Sequence, residues 1–167
     1  MSPQGLVVDP LRFAIEGAAV VQSRPVVGFE RLADALLDPA GSLDFSVRGS
    51  RDRDGKHWLD LSLAGTLTVQ CQRCLEALDW ALRVDNRLLL VREGRELPEE
   101  ELQEDGWDCL PVGPRLDLLE LIEDEALLAL PFAPRHEACC APSTSDGGGT
   151  TSPFAGLAQL RKPEGRG

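Results

Sequence analysis

The run Cys71-Gln72-Arg73-Cys74 carries two thiols three positions apart. Held on a tight turn, such a pair can point both sulfurs at one tetrahedral metal ion, and the spacing is half of a zinc knuckle. The other half is offered far downstream, just after Pro134, by His136, Cys139 and Cys140. His136 and Cys140 have the H-x3-C spacing that closes such a site. Cys139 competes with Cys140 for the fourth position, and spacing does not choose between them. The expected site is therefore zinc on Cys71, Cys74, His136 and Cys140. Two other readings of the same residues stand beside it: reduced thiols that pack at a strand end, and a thiol–disulfide oxidoreductase pair made by Cys71 and Cys74. The redox pair wants its C-x-x-C at the start of a helix that follows a parallel strand. No βαβ pattern surrounds this one. Arg73 could lower a thiolate pKa, or equally be a solvent-facing turn residue. Cys109 reads as an inert core residue, His57 as a surface residue, and Trp58, Trp80 and Trp107 as core.

Composition narrows the setting in which this chemistry would operate. A chain of 167 residues with 43% apolar composition suits one domain, burying about 70% of its unfolded surface. No basic region followed by an apolar run opens the chain, so no signal peptide is expected. No window approaches 18 apolar residues, so no membrane span is expected either. Five cysteines without export then imply a reducing compartment, with thiols free or metal-bound, and a cytoplasmic location. The net charge of −11 falls entirely in two stretches. Residues 93–108 hold eight acids against Arg95, and residues 115–131 hold five against Arg115. There is no basic stripe to track a phosphate backbone and aromatics are only 5%, which disfavours direct RNA binding. A basic protein partner is the better expectation, and nothing points to a small-molecule substrate.

The elements that would position the thiols follow from periodicity. Val7 to Phe13 reads as a short extended segment with a turn or single helical turn at Pro10. Ala18 to Val27, interrupted by Ser23 and Pro25, reads as an edge strand. Phe29, Leu32, Ala33, Leu36 and Leu37 fall at helical spacing, so Gly28 to Leu37 is predicted as a short amphipathic helix. Leu43, Phe45 and Val47 alternate with polar residues, the mark of a half-buried strand. Arg51 to Gly55 is a polar hairpin turn. Leu59, Leu61, Leu63, Leu67, Val69 and Cys71 then fall on odd positions, with Gly65 marking a bulge or bend. Leu78, Trp80, Leu82, Val84, Leu88 and Leu90 fall on even positions of a returning strand, predicted to break near Asn86. Residues 93–108 read as an acidic loop, and Trp107 to Val112 as a brief strand that rejoins the sheet. Asp117 caps a helix with an apolar face from Leu118 to Ala129, stopped by Pro131. The predicted fold is α+β: an antiparallel β-meander of about four to five strands covered by one main helix. It would occupy residues 1–140, followed at 141–167 by a flexible linker and a short C-terminal helix with Phe154, Leu157 and Leu160 as an apolar stripe.

With these pieces in place, the chain resembles the YceD family of large ribosomal RNA subunit accumulation proteins. Four segments carry the likeness: Asp9-Pro10-Leu11-Arg12, the knuckle Val69 to Leu75, the stretch Leu116 to Pro134, and Pro153-Phe-Ala-Gly-Leu-Ala-Gln-Leu160. The resemblance implies a non-enzymatic role in large-subunit ribosomal RNA accumulation, hence ribosome assembly, with ribosomal or assembly proteins as partners. Some members look richer in cysteine, with Pro-x-Cys-x3-Cys after the helix. His136 and Cys140 would stand in for those two thiols, and the histidine keeps a zinc-ligand type. The helix acids Glu120, Glu123, Asp124 and Glu125 have no Lys or Arg at i+4. They read either as a solvated face or as a surface shaped for a basic protein. Glu123, Asp124 and Glu125, with Phe154, Leu157 and Leu160, are the expected partner-binding residues. No His, Ser or Lys joins these carboxylates, so no catalytic residues are expected.

Residues 141–152 contain no large apolar side chain. Limited proteolysis should therefore cut there first and leave a stable core of about 140 residues, readable by mass spectrometry. Protection of that stretch in the isolated protein would refute the linker.

Overall fold

A computed structural model describes residues 5–94 and 108–138. In chain order the elements are β1 (Val7–Val8), α1 (Pro10–Ile15), β2 (Ala19–Pro25), a 3-10 turn (Val26–Gly28), α2 (Glu30–Ala35), β3 (Ser42–Arg51), β4 (His57–Gln70), β5 (Ala77–Arg92), β6 (Asp108–Val112), β7 (Leu116–Asp117) and α3 (Leu118–Leu128). Strands β2 to β6 form one five-stranded sheet in sequence order, and β1 pairs with β7 apart from it. The fold is α+β. Among the described residues no helix is long and apolar enough to cross a membrane.

Alternation decides the faces. Leu59, Leu61, Leu63, Leu67, Val69 and Cys71 are all buried, together with Leu82, Leu88 and Leu90 from β5. Their even-numbered neighbours Asp60, Ser62 and Thr68 point to the opposite, wetter face. At the β6 end that second face carries a small cluster of its own, in which Trp58, Leu89 and Val91 bury against one another with Cys109 packed beside them. The Trp58 indole N–H donates to Asp52 at 2.9 Å, and the Arg87 guanidinium stacks over its ring at 4.5 Å. Trp80 packs half-buried against the main core.

Four expectations need correction. The sheet is mixed: β2 to β5 form an antiparallel meander, but β6 runs parallel to β5, with Asp108 opposite Leu88 and Val112 opposite Arg92. A parallel return needs a dozen or more connecting residues rather than a hairpin, and the acidic stretch supplies them; residues 95–107, including Trp107, lie outside the described set. Strand β5 does not break at Asn86, which pairs with Leu61 in an unbroken ladder while its amide donates to Glu125 at 3.1 Å. Gly65 marks no bulge, since it pairs with Leu43 and Leu82 in register. A Cβ there would lie 2.8 Å from Leu43 Cδ2 and 2.9 Å from the Ser42 carbonyl, so the glycine permits close strand approach. Finally, three helices are present among the described residues rather than one dominant cover. Helix α1 lies over β3 close enough that a Cβ on Gly49 would sit 2.5 Å from the Phe13 carbonyl oxygen.

Side-chain caps fix the helix starts. Asp9 accepts from the backbone N–H groups of Leu11 and Arg12, with Pro10 at the first helical position. Asp117 accepts from Leu119 N–H at 2.9 Å and from Leu6 N–H at 3.2 Å, so one carboxylate caps α3 and holds β1. Helix α2 has no cap of its own. Its open N–H groups at Arg31 and Leu32 donate instead to Glu123 of α3, at 2.7 and 3.1 Å. The same carboxylate accepts from Arg31 Nε at 3.0 Å, and Arg31 Nη1 reaches Asp124 at 2.6 Å. Glu123 is only 8% exposed. Removing it would leave two helix-start donors without their acceptor and the Arg31 guanidinium held by Asp124.

Glu123→Ala should therefore cost about 2–3 kcal/mol in urea unfolding. The exposed Glu120→Ala should stay within about 0.5 kcal/mol. Equal, small effects for the two would show that Glu123 is not a cap.

Candidate metal centre

The β4–β5 ladder runs out at Gln70↔Ala77, and the six residues between them form the turn that holds both thiols. Cys71 N–H donates to the Glu76 carbonyl at 2.9 Å, and Leu75 N–H donates to the Cys71 carbonyl at 2.9 Å. Gln70 Nε2 closes the turn from outside on the Leu75 carbonyl at 3.1 Å. Leu75 takes φ of 65°, a left-handed conformation unfavourable for a leucine; it turns the chain back towards β5. The turn is then met by the segment that follows α3. Pro131 ends the helix, and the Pro134 carbonyl accepts from Gln72 N–H at 2.8 Å. Two residues on, His136 arrives beside the sulfurs.

One donor atom from each of Cys71, Cys74 and His136 lies within 4.8 Å of the others. Cys74 Sγ stands 3.4 Å from His136 Nδ1. Around a tetrahedral zinc, sulfur and nitrogen ligands at ordinary bond lengths stand about 3.6 Å apart. The other ring nitrogen, Nε2, lies 3.0 Å from the Ala77 carbonyl oxygen. A carbonyl only accepts, so Nε2 carries the proton and Nδ1 presents its lone pair to the sulfurs. Such a backbone contact on the far side of the ring orients a metal-binding histidine and fixes its tautomer.

The electrostatics suit a bound cation. Cys71 has no exposed surface, and burial alone would raise its thiol pKa. It is nevertheless lowered to about 5, because backbone N–H groups of Cys74, Arg73 and His136 donate to its sulfur, Cys74 foremost, and the Cys74 thiol adds to them. Backbone donors aimed at a sulfur stabilise the thiolate, the form that ligates metal. His136 is shifted upward, chiefly by its contact with the Cys71 sulfur and next by the Ala77 carbonyl. Arg73 is exposed, and its contribution to the site comes through its backbone N–H.

Of the four ligands read from the sequence, three are brought together here. The fourth, Cys140, and its competitor Cys139 lie outside the described residues, as do Phe154, Leu157, Leu160 and the linker. The helix acids are partly committed elsewhere. Glu123 is turned inward onto α2, Asp124 is exposed and paired with Arg31, and Glu125 accepts from Asn86. The i+4 rule missed this cation because Arg31 belongs to another helix, 92 positions from Glu123. Sequence reasoning also passed over the Ala77 and Pro134 carbonyls, since main-chain groups carry no residue-type signal. The C-x-x-C sits between antiparallel strands rather than at a helix start, unlike the helix-opening pair that thiol–disulfide exchange favours.

Fold and site together define an α+β protein with a Cys-x2-Cys…His donor cluster at the closed end of its longest hairpin. A family model described as large ribosomal RNA subunit accumulation protein YceD matches residues 59–161. The chain belongs to this YceD family. The matched span begins in β4 and takes in Cys71, Cys74, α3 and His136, leaving β1 to β3 outside it. No solved structure matches the chain at a significant level.

The Cys71 environment has a direct readout. In chelator-treated protein, thiolate absorbance at 240 nm should step upward as pH rises through about 5, below the ordinary thiol range near 8.5. Cys71→Ser should remove that step. A first step only above pH 8 would contradict the donor arrangement.

Proposed function

We propose that this chain is a non-enzymatic, cytoplasmic factor that supports accumulation of large-subunit ribosomal RNA, acting as a binding or assembly protein built on a zinc knuckle. Cys71, Cys74 and His136 supply three ligands, and Cys140 the fourth. Zinc suits a mixed sulfur and nitrogen set and contributes folding energy at closed four-ligand sites. The observation that carries the reading is the oriented imidazole: His136 Nε2 on the Ala77 carbonyl turns Nδ1 towards Cys74. That tie draws the segment after α3 onto the end of the hairpin. Residues 1–140 would form the working domain, and residues 141–167 a tether that ends in an anchor.

The partner proposed is a basic ribosomal or ribosome-assembly protein. Asp124 and Glu125 offer acidic groups on α3, whereas Glu123 contributes indirectly by holding α2. Exposed charge pairs are worth only about 0–1 kcal/mol each. Phe154, Leu157 and Leu160 would therefore supply the apolar anchor.

Protein purified without chelator should contain about one zinc per chain by elemental analysis, and Cys74→Ser should lose it with a lower melting temperature. In cells lacking the chain, the ratio of large- to small-subunit ribosomal RNA should fall. Wild type should restore it and Cys74→Ser should not. A metal-free, equally stable preparation from zinc-replete cells would refute the knuckle; full rescue by Cys74→Ser would refute its part in the function.

A further inference from the structure

Resting on the zinc reading above, we infer that the centre is also a peroxide-operated release, in which a Cys71–Cys74 disulfide expels the metal and frees residues 131–138 from the end of β4. The two sulfurs lie within 4.8 Å of each other on a turn closed by the Leu75 to Cys71 hydrogen bond, so they can meet by side-chain rotation. Their access differs: Cys71 has no exposed surface, and Cys74 is half-buried. A small hydroperoxide therefore reaches Cys74 first.

The Cys74 thiolate attacks the peroxide O–O bond, becomes a sulfenic acid and releases hydroxide. The Cys71 sulfur then attacks the Cys74 sulfur, and the S–S bond forms as the S–O bond breaks with loss of a second hydroxide. The two thiolates give up two electrons, the peroxide takes both, and each hydroxide gains a proton from solvent to become water. A disulfide has no anionic sulfur to offer, so two ligands are lost together.

The consequence for the fold follows from what holds residues 131–138 in place. The described ties are the Pro134 carbonyl on Gln72, the Ala77 carbonyl under His136, the Cys74–His136 contact, and the His136 N–H on Cys71 sulfur. The last two need reduced sulfurs. The segment also contains an exposed Arg135, so its release opens a tryptic site.

The test uses the full-length, zinc-loaded chain, with metal measured before and after hydrogen peroxide by a chromogenic chelator. Trypsin cuts after Lys56, Arg73 and Arg83, which places Cys71 and Cys74 in separate peptides, 57–73 and 74–83. A Cys71–Cys74 bond thus appears as a linked pair that dithiothreitol splits. The expected result is release of zinc in step with that pair, faster native-state cleavage after Arg135, and the same behaviour in Cys109→Ser. Zinc retained while the thiols react, a disulfide joining Cys74 to another cysteine, or release abolished by Cys109→Ser would overturn the inference and leave the zinc reading intact. Absence of zinc before peroxide would instead overturn the zinc reading, and this inference with it.

Discussion

Cross-strand pairing from His57↔Leu90 to Gln70↔Ala77 is the constraint on which the rest of this structure depends. Side chains alternate faces with a period of two, so a slip of one residue would move the whole leucine row of β4 into solvent. Burial of Leu59, Leu61, Leu63 and Leu67 therefore locks the register. Register in turn fixes where the ladder stops, and so where the six-residue turn begins. Cys71 lies one step beyond the last pair, on the buried face, while Cys74 lies across the turn from it. The chemistry of the thiols is thus set by hydrophobic pattern at a distance.

That dependence explains what the sequence could and could not reveal. Alternation over β3, β4 and β5 was plain because each strand buries one face over most of its length, and its odd or even phase placed Cys71 correctly. The Cys71, Cys74 and His136 cluster was legible because thiols and an imidazole are ligand types whose spacing suggests a shared metal. The reversal to parallel pairing at β6 was not legible. Five residues such as Asp108 to Val112 look the same in either direction, and direction is decided by the length of the connection. Asn86 and Gly65 misled for a related reason. Residues that usually weaken strands are tolerated here because tertiary neighbours use them: Asn86 binds a helix acid, and Gly65 lets two strands close up.

The acids show how net charge can mislead about surface. Glu123 counts towards the −11 of the whole chain, yet its carboxylate terminates a helix belonging to another part of the chain. A six-residue helix such as α2 has most of its N–H groups unsatisfied and is marginal alone. It persists because α3 donates an acceptor, which couples residues 30–35 to residues 118–128. Local propensity alone does not account for α2.

The position of His136 has one more consequence, which concerns chain statistics. Cys74 and His136 are 62 positions apart, so a metal shared between them would close a loop that holds β5, β6, β7 and α3. In the chain-entropy view a cross-link around a loop of this size restricts the unfolded ensemble by about 4 kcal/mol. That is a large share of the 5–15 kcal/mol typical of a domain. A covalent staple would achieve the same restriction only under oxidising conditions, whereas two thiolates and an imidazole around a metal achieve it among reduced thiols.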